Sequence, residues 1–241
     1  MTAPRVLVIL GQSAAQTAQF HNQPDHWGSF ASMLRACDAA VRLVTDDLAV
    51  LTPSVLAGFD VIVNASTALE PTAAQVAALL ERVKSGAGFV GVHAATATFV
   101  AHPDYLGMVG ARFGRHDPLK HFTIKFTDHD HPITSGLADY DHDDELYELT
   151  ADFVDRTNVV PLSGITVLAE AEGHPMVYVK THGKGRVAYL ASGHDARSLD
   201  HPTFRTLFTR AIAWVAPTQS HSSRRSLVRP LNRLQGVRAT E

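Results

Sequence analysis

A single cysteine, Cys37, excludes an intrachain disulfide, and its place on the apolar face of a helical segment makes it a core residue. No apolar run approaches the roughly 18 residues that a membrane span needs. Met1–Arg5 leads straight into an apolar strand without a secretory segment, so the expectation is a cytoplasmic protein. There is no excess of positive charge: the net charge is −3, which gives no reason to expect nucleic acid as a partner. No glycine-rich phosphate loop follows the first strand, where Gly11-Gln-Ser-Ala stands instead. No serine or cysteine occupies a strand-to-helix turn as a nucleophile. The 45% hydrophobic and 19% charged composition is that of a soluble globular chain. At 241 residues, one α/β domain can bury most of the apolar surface.

What is present is an alternation of apolar strands and amphipathic helices. Val6–Leu10, Val41–Val44, Val61–Val63 and Phe89–Val92 read as buried parallel strands. Between them, a helix from Ser29 buries Phe30, Met33, Leu34 and Cys37. A short helix opens at Thr52-Pro53, and a third from Pro71 carries Val76, Leu79, Leu80 and Val83. The first 92 residues are thus β-α-β-α-β-α-β, the pattern of a doubly wound sheet. A long polar loop, Gln12–Gly28, is expected over the carboxyl edge of that sheet. Beyond it, Tyr105–His116 reads as a short helix and a loop, and Phe122–Phe126 as a half-exposed strand. Residues 128–137 read as a turn and short helix, and 141–144 as a solvated acidic loop. Met176–Lys180 and Arg186–Ala191 form a hairpin about Gly183 and Gly185, and a last helix starts near Pro202. From Pro217 the composition shifts to a basic tail of +4, leaving −7 on the rest. The domain is therefore read as residues 1–216, followed by a flexible segment 217–241 that could also dock a partner or an anionic surface.

The abundant reactive residue is histidine, with fourteen. The buried strand Phe89–Val92 stops abruptly in His93-Ala-Ala-Thr96, a tight elbow that lifts His93 above the carboxyl edge, where open α/β sheets bind ligands. His116, Glu145 and the pair His194-Asp195 are expected at the same edge. Two histidines and a carboxylate could form a general acid–base site, and the same groups could hold a divalent metal such as zinc. No cofactor is required by the sequence. His129-Asp130-His131 has the look of a metal motif, but its position at a turn favours capping of free amides.

The matching stretches are Gly88–Thr96, Gly110–Phe113 followed by His116, His131–Leu137, Asp144–Tyr147, and Gly183–Val187 running to Gly193–Asp195. In order and spacing the chain resembles the ThuA-like, trehalose-utilisation family, within the class I glutamine amidotransferase-like fold, over roughly residues 5–215. The resemblance implies a flavodoxin-like, mostly parallel sheet with an added small antiparallel sheet or hairpin. It places His93 where amidotransferases carry cysteine, so no glutaminase activity is expected. It makes His194 and Asp195 counterparts of the triad histidine region. One departure is Asp117, inserted between His116 and Pro118, where the family often has histidine directly before proline.

The resemblance points to catabolism of trehalose or a related disaccharide through keto-sugar intermediates. On that reading His93 and His194 are the acid–base pair, Asp195 orients or polarises, Glu145 is a second base or a hydroxyl acceptor and His116 a substrate or metal contact. His21 and His26 line the mouth, and Asn64, Thr96 and Tyr147 are further substrate contacts. A non-catalytic sugar-binding or regulatory subunit and a metal-dependent hydrolase are the rival readings. A small-molecule sugar is the expected partner, and a homo-oligomer stays open.

Overall fold

Strand β1 (Arg5–Leu10) sits inside the sheet, flanked in parallel by β2 (Ala40–Thr45) and β3 (Val61–Asn64). Strand β4 (Gly88–Val92) follows in parallel, and β11 (Gly185–Leu190) pairs with it, also in parallel. The structure, a computed structural model, describes residues 3–13, 23–37 and 39–218. The five strands give the order β2-β1-β3-β4-β11, the flavodoxin-like arrangement with its carboxyl edge open to ligands. They are apolar throughout because helices cover both faces. Helices α1 (Gln23–Ala36), α5 (Ala196–Leu199) and α6 (Pro202–Val215) pack together on one side. Helices α2 (Pro53–Leu56), α3 (Ala73–Lys84) and α4 (Pro103–Val109) lie on the other. Phe30 of α1 and Phe208 of α6 meet edge to face at 5.4 Å, both fully buried; each ring contributes about 1.5–3 kcal/mol by leaving water.

Strand β11 also begins the antiparallel half of the sheet. It pairs with β10 (His174–His182), which pairs with β9 (Thr166–Ala171), then β6 (Lys120–Phe126) and β7 (Tyr140–Asp144). A separate two-stranded antiparallel sheet joins β5 (Arg112–His116) to β8 (Tyr147–Thr150).

Four local expectations change. Helix α1 begins at Gln23 rather than Ser29, so His26 and Trp27 are helical; His21 lies outside the described residues. Arg112–His116 is a strand and not a loop, since its amides pair with β8. Residues 128–137 form successive turns without a helix: Asp128 Oδ1 accepts from the amides of Asp130 and His131, and Gly136 takes a φ of +71°. The acidic run 141–144 is the strand β7, not a solvated loop. Its alternate residues His142 and Asp144 point inward and are 3% and 0% exposed. Of the basic tail, only residues 217 and 218 are described. No described helix is long and apolar enough to cross a membrane.

Candidate active site

The elbow after β4 is a short 3-10 turn, His93–Thr96. His93 enters it at a φ of +44°, a left-handed backbone that a non-glycine residue adopts at a cost, held here by its buried surroundings. Its partner segment follows β11. Gly193 has a φ of +132°, and a Cβ there would stand 2.9 Å from Val92 and 3.3 Å from the Cβ of His93. The glycine thus lets the chain bearing His194 run against the elbow bearing His93.

Glu145, between β7 and β8, is where these histidines converge. Its Oε2 is 3.4 Å from His93 Nε2 and 3.2 Å from His194 Nδ1, and its Oε1 is 3.5 Å from His116 Nε2. His93 Nδ1 donates to the Ala191 carbonyl at 2.7 Å, which fixes that tautomer and turns Nε2 toward the carboxylate. His26 Nε2 donates to the His194 carbonyl at 2.8 Å, so α1 braces the loop from behind. The Tyr147 ring lies 4.1 Å from His93 and 5.7 Å from His116, forming the wall between them. Burial alone would raise the Glu145 carboxyl, but hydrogen bonds from His194 and His93, and their charge, hold it well below the usual carboxylate range. In return the hydrogen bond to Glu145 raises His194 above its ordinary value, against burial. Burial lowers His26.

Glu145, Tyr147, His194 and His116 border a cavity of about 590 Å3, lined further by Ala97, Val100 and Phe113 among others. Its size lies within the range of small-molecule sites. His93 is 2% exposed and lies behind Glu145, so it reaches the cavity only through that carboxylate and His194.

The remaining expected residues go elsewhere. Asp195 caps α5: its carboxylate accepts from the amide and guanidinium of Arg197, which keep it below its ordinary value against burial. It makes no described hydrogen bond to the imidazole of His194. Asn64 is fully buried, donating to the Tyr105 hydroxyl and accepting from Ser66. Thr96 is fully buried between the His93 carbonyl and the Tyr189 hydroxyl. Neither opens to the cavity, because in each case protein groups consume the polar atoms at the strand ends.

The residue that sequence reasoning misplaced is Asp144. Its Oδ1 accepts from the Glu145 amide at 2.7 Å, and its Oδ2 accepts from the Gly193 amide at 2.8 Å and the Ser198 hydroxyl at 2.6 Å. One buried carboxylate therefore holds the backbone at Glu145 and beside His194. A period-2 reading of 140–144 would have pointed it inward, but the buried residues are polar and carry no apolar signal.

The three atoms His93 Nε2, Glu145 Oε2 and His194 Nδ1 lie within 4.8 Å of one another and could hold a metal ion; they form the one such group among the described residues.

Several solved structures share this fold. A protein described as ThuA-like from Parabacteroides merdae is 19% identical, with 90% of this chain and 92% of that one covered and a TM-score of 0.73. A second described as ThuA-like, from Bacteroides uniformis, is 21% identical over 89% and 93%, with a TM-score of 0.64. A cytoplasmic protein from Salmonella typhimurium is 12% identical over 88% and 99%, with a TM-score of 0.60. No curated protein matches. The model of the ThuA family, described as trehalose utilisation, matches residues 5–215, and the chain belongs to that family.

Proposed function

We propose that the protein is an enzyme that acts on a disaccharide of the trehalose class in its keto form, by moving a proton at the carbon beside the carbonyl. The observation that carries this reading is the convergence of three imidazole nitrogens on the Glu145 carboxylate at the edge of a sugar-sized cavity. A carbonyl acidifies the neighbouring C–H, so a side chain of modest basicity can remove that proton if the oxygen's developing charge is met.

The cluster divides that work. His116 is the most exposed of the three histidines, with 32% of its side chain accessible, and serves as proton carrier: its Nδ1 donates to the Asp117 carbonyl at 2.8 Å, which leaves Nε2 to accept a proton. His194, whose protonated form Glu145 favours, faces the carbonyl oxygen as the electrophile. His93 buttresses the carboxylate from beneath. The proton moves from carbon to His116 Nε2 and the C–H electron pair moves toward the carbonyl oxygen. Return of that proton to the former carbonyl carbon, while the vicinal hydroxyl loses its proton and becomes the new carbonyl, gives isomerisation; expulsion of the glycosidic oxygen with the proton held by His116 gives elimination. Asp195, as helix cap, stands outside the machinery.

Incubation with trehalose, sucrose and their 3-keto forms, followed by mass spectrometry of the products, tests the reading. Conversion of the keto forms alone is the expected result. Binding of either sugar without conversion would replace the enzyme with a sugar-binding subunit.

A further inference from the structure

We infer that His93 Nε2, Glu145 Oε2 and His194 Nδ1 are the protein ligands of one tetrahedral divalent metal ion, zinc or a zinc-like ion, whose fourth position faces the cavity. The inference rests on the preceding reading only in treating this cavity as the reaction site.

The distances carry it. A charge-assisted hydrogen bond between imidazolium and carboxylate closes to about 2.7–2.9 Å. The contacts here are 3.4 and 3.2 Å, between largely enclosed groups. Ligands on a tetrahedral ion with bonds of about 2.0–2.1 Å stand about 3.3–3.4 Å apart, close to the 3.4 and 3.2 Å from Glu145 Oε2 to the two imidazole nitrogens, which lie within 4.8 Å of each other. Neighbouring ligands on an octahedral ion of similar bond length stand about 3.0 Å apart, which fits less well.

The outer contacts have the same character. A metal-bound histidine commonly donates its second ring nitrogen to a carbonyl or carboxylate, as His93 Nδ1 does to Ala191. The other oxygen of a ligating carboxylate is commonly held in turn, and Glu145 Oε1 faces His116. The backbone on both sides is tied by Asp144, which accepts from the Glu145 and Gly193 amides. Two imidazoles and one carboxylate with an open position is a donor set that suits zinc in catalytic sites. A metal there would polarise a sugar oxygen in place of the His194 proton, and His116 would keep its role.

The test is titration of the full-length, chelator-treated protein with Co2+, read by visible absorption, with Zn2+ competing. One equivalent of Co2+ with the intense bands of tetrahedral coordination, displaced by one equivalent of Zn2+, is expected. His93→Ala, His194→Ala and Glu145→Gln should each weaken binding at least about 100-fold, beyond the usual cost of losing an outer contact. His116→Ala, which removes only an outer contact, should weaken it by about 10-fold to 100-fold. Circular dichroism checks that each variant is folded, and Glu145→Gln, which keeps the shape of the side chain, covers the case in which a histidine variant is not. Octahedral spectra, no saturable binding, or binding kept by Glu145→Gln would overturn the site. Metal binding without keto-sugar conversion upholds the site and removes the proposed reaction. Conversion at full rate by metal-free protein upholds the reaction and removes the metal from it.

Discussion

Asp144 and Glu145 are adjacent carboxylates with opposite surroundings. Asp144 points into the protein, where two amides and the Ser198 hydroxyl reach it at 2.6–2.8 Å, and His142 Nε2 donates to that same hydroxyl at 3.0 Å. Glu145 points to the cavity, and its three histidine contacts lie at 3.2–3.5 Å. The first is a saturated network with no capacity left for a ligand. The second holds charged groups at longer range beside the cavity, an arrangement that leaves room for a substrate oxygen or an ion. Saturation rigidifies, whereas incomplete closure permits chemistry.

That contrast breaks most clearly by exchanging stability for activity. Glu145→Gln should lower conversion of 3-keto-trehalose by about 100-fold to 10,000-fold, the usual span for a positioned acid–base group, with the urea midpoint nearly unchanged. Equal losses of midpoint and rate would mean that Glu145 is structural. Asp144→Ala should lower unfolding free energy by about 3–5 kcal/mol in urea titration, because it strands buried donors around an emptied site. A change below about 1 kcal/mol would remove the claim that the network is saturated.

Acid sharpens the comparison further. Burial raises Asp144, but the hydrogen bond with His142 and the charge of His93, with the Ser198 and Gly193 donors, bring it from 3.8 down to about 2. Its folded value is depressed, so the stability it supplies is present above about pH 4 and is lost as pH falls toward 2. Stability curves between pH 5 and 2 should show a loss of about 2 kcal/mol in the native protein that Asp144→Asn lacks. The smallest effect expected is at Asp195. Asp195→Ala should cost about 1 kcal/mol as a lost helix cap and leave turnover within about threefold. A hundredfold loss of turnover would return Asp195 to the catalytic group.

The parallel half of the fold was legible because its strands are apolar on both faces and its helices keep a clean 3.6-residue period. The His93 elbow followed from the sharp end of Phe89–Val92. The antiparallel half was less legible. Strand β7 buries His142 and Asp144 in place of apolar residues, so its alternation is invisible to hydrophobicity. Strand β5 is Arg-Phe-Gly-Arg-His, with a register shift between Phe113 and Arg115 that hides its period. The grouping of His93, His116, Glu145 and His194 was reached by asking what lies at strand ends. The same rule misplaced Asn64 and Thr96, since a strand-end polar residue can equally bond to the next loop.

The most direct test of the central claim is proton exchange at carbon. With 3-keto-trehalose in D2O, followed by NMR, the native protein should introduce deuterium beside the carbonyl, and Glu145→Gln should slow this by at least about 100-fold. Isomerisation without deuterium at either carbon involved, or exchange at an equal rate in Glu145→Gln, would contradict proton transfer at this cluster.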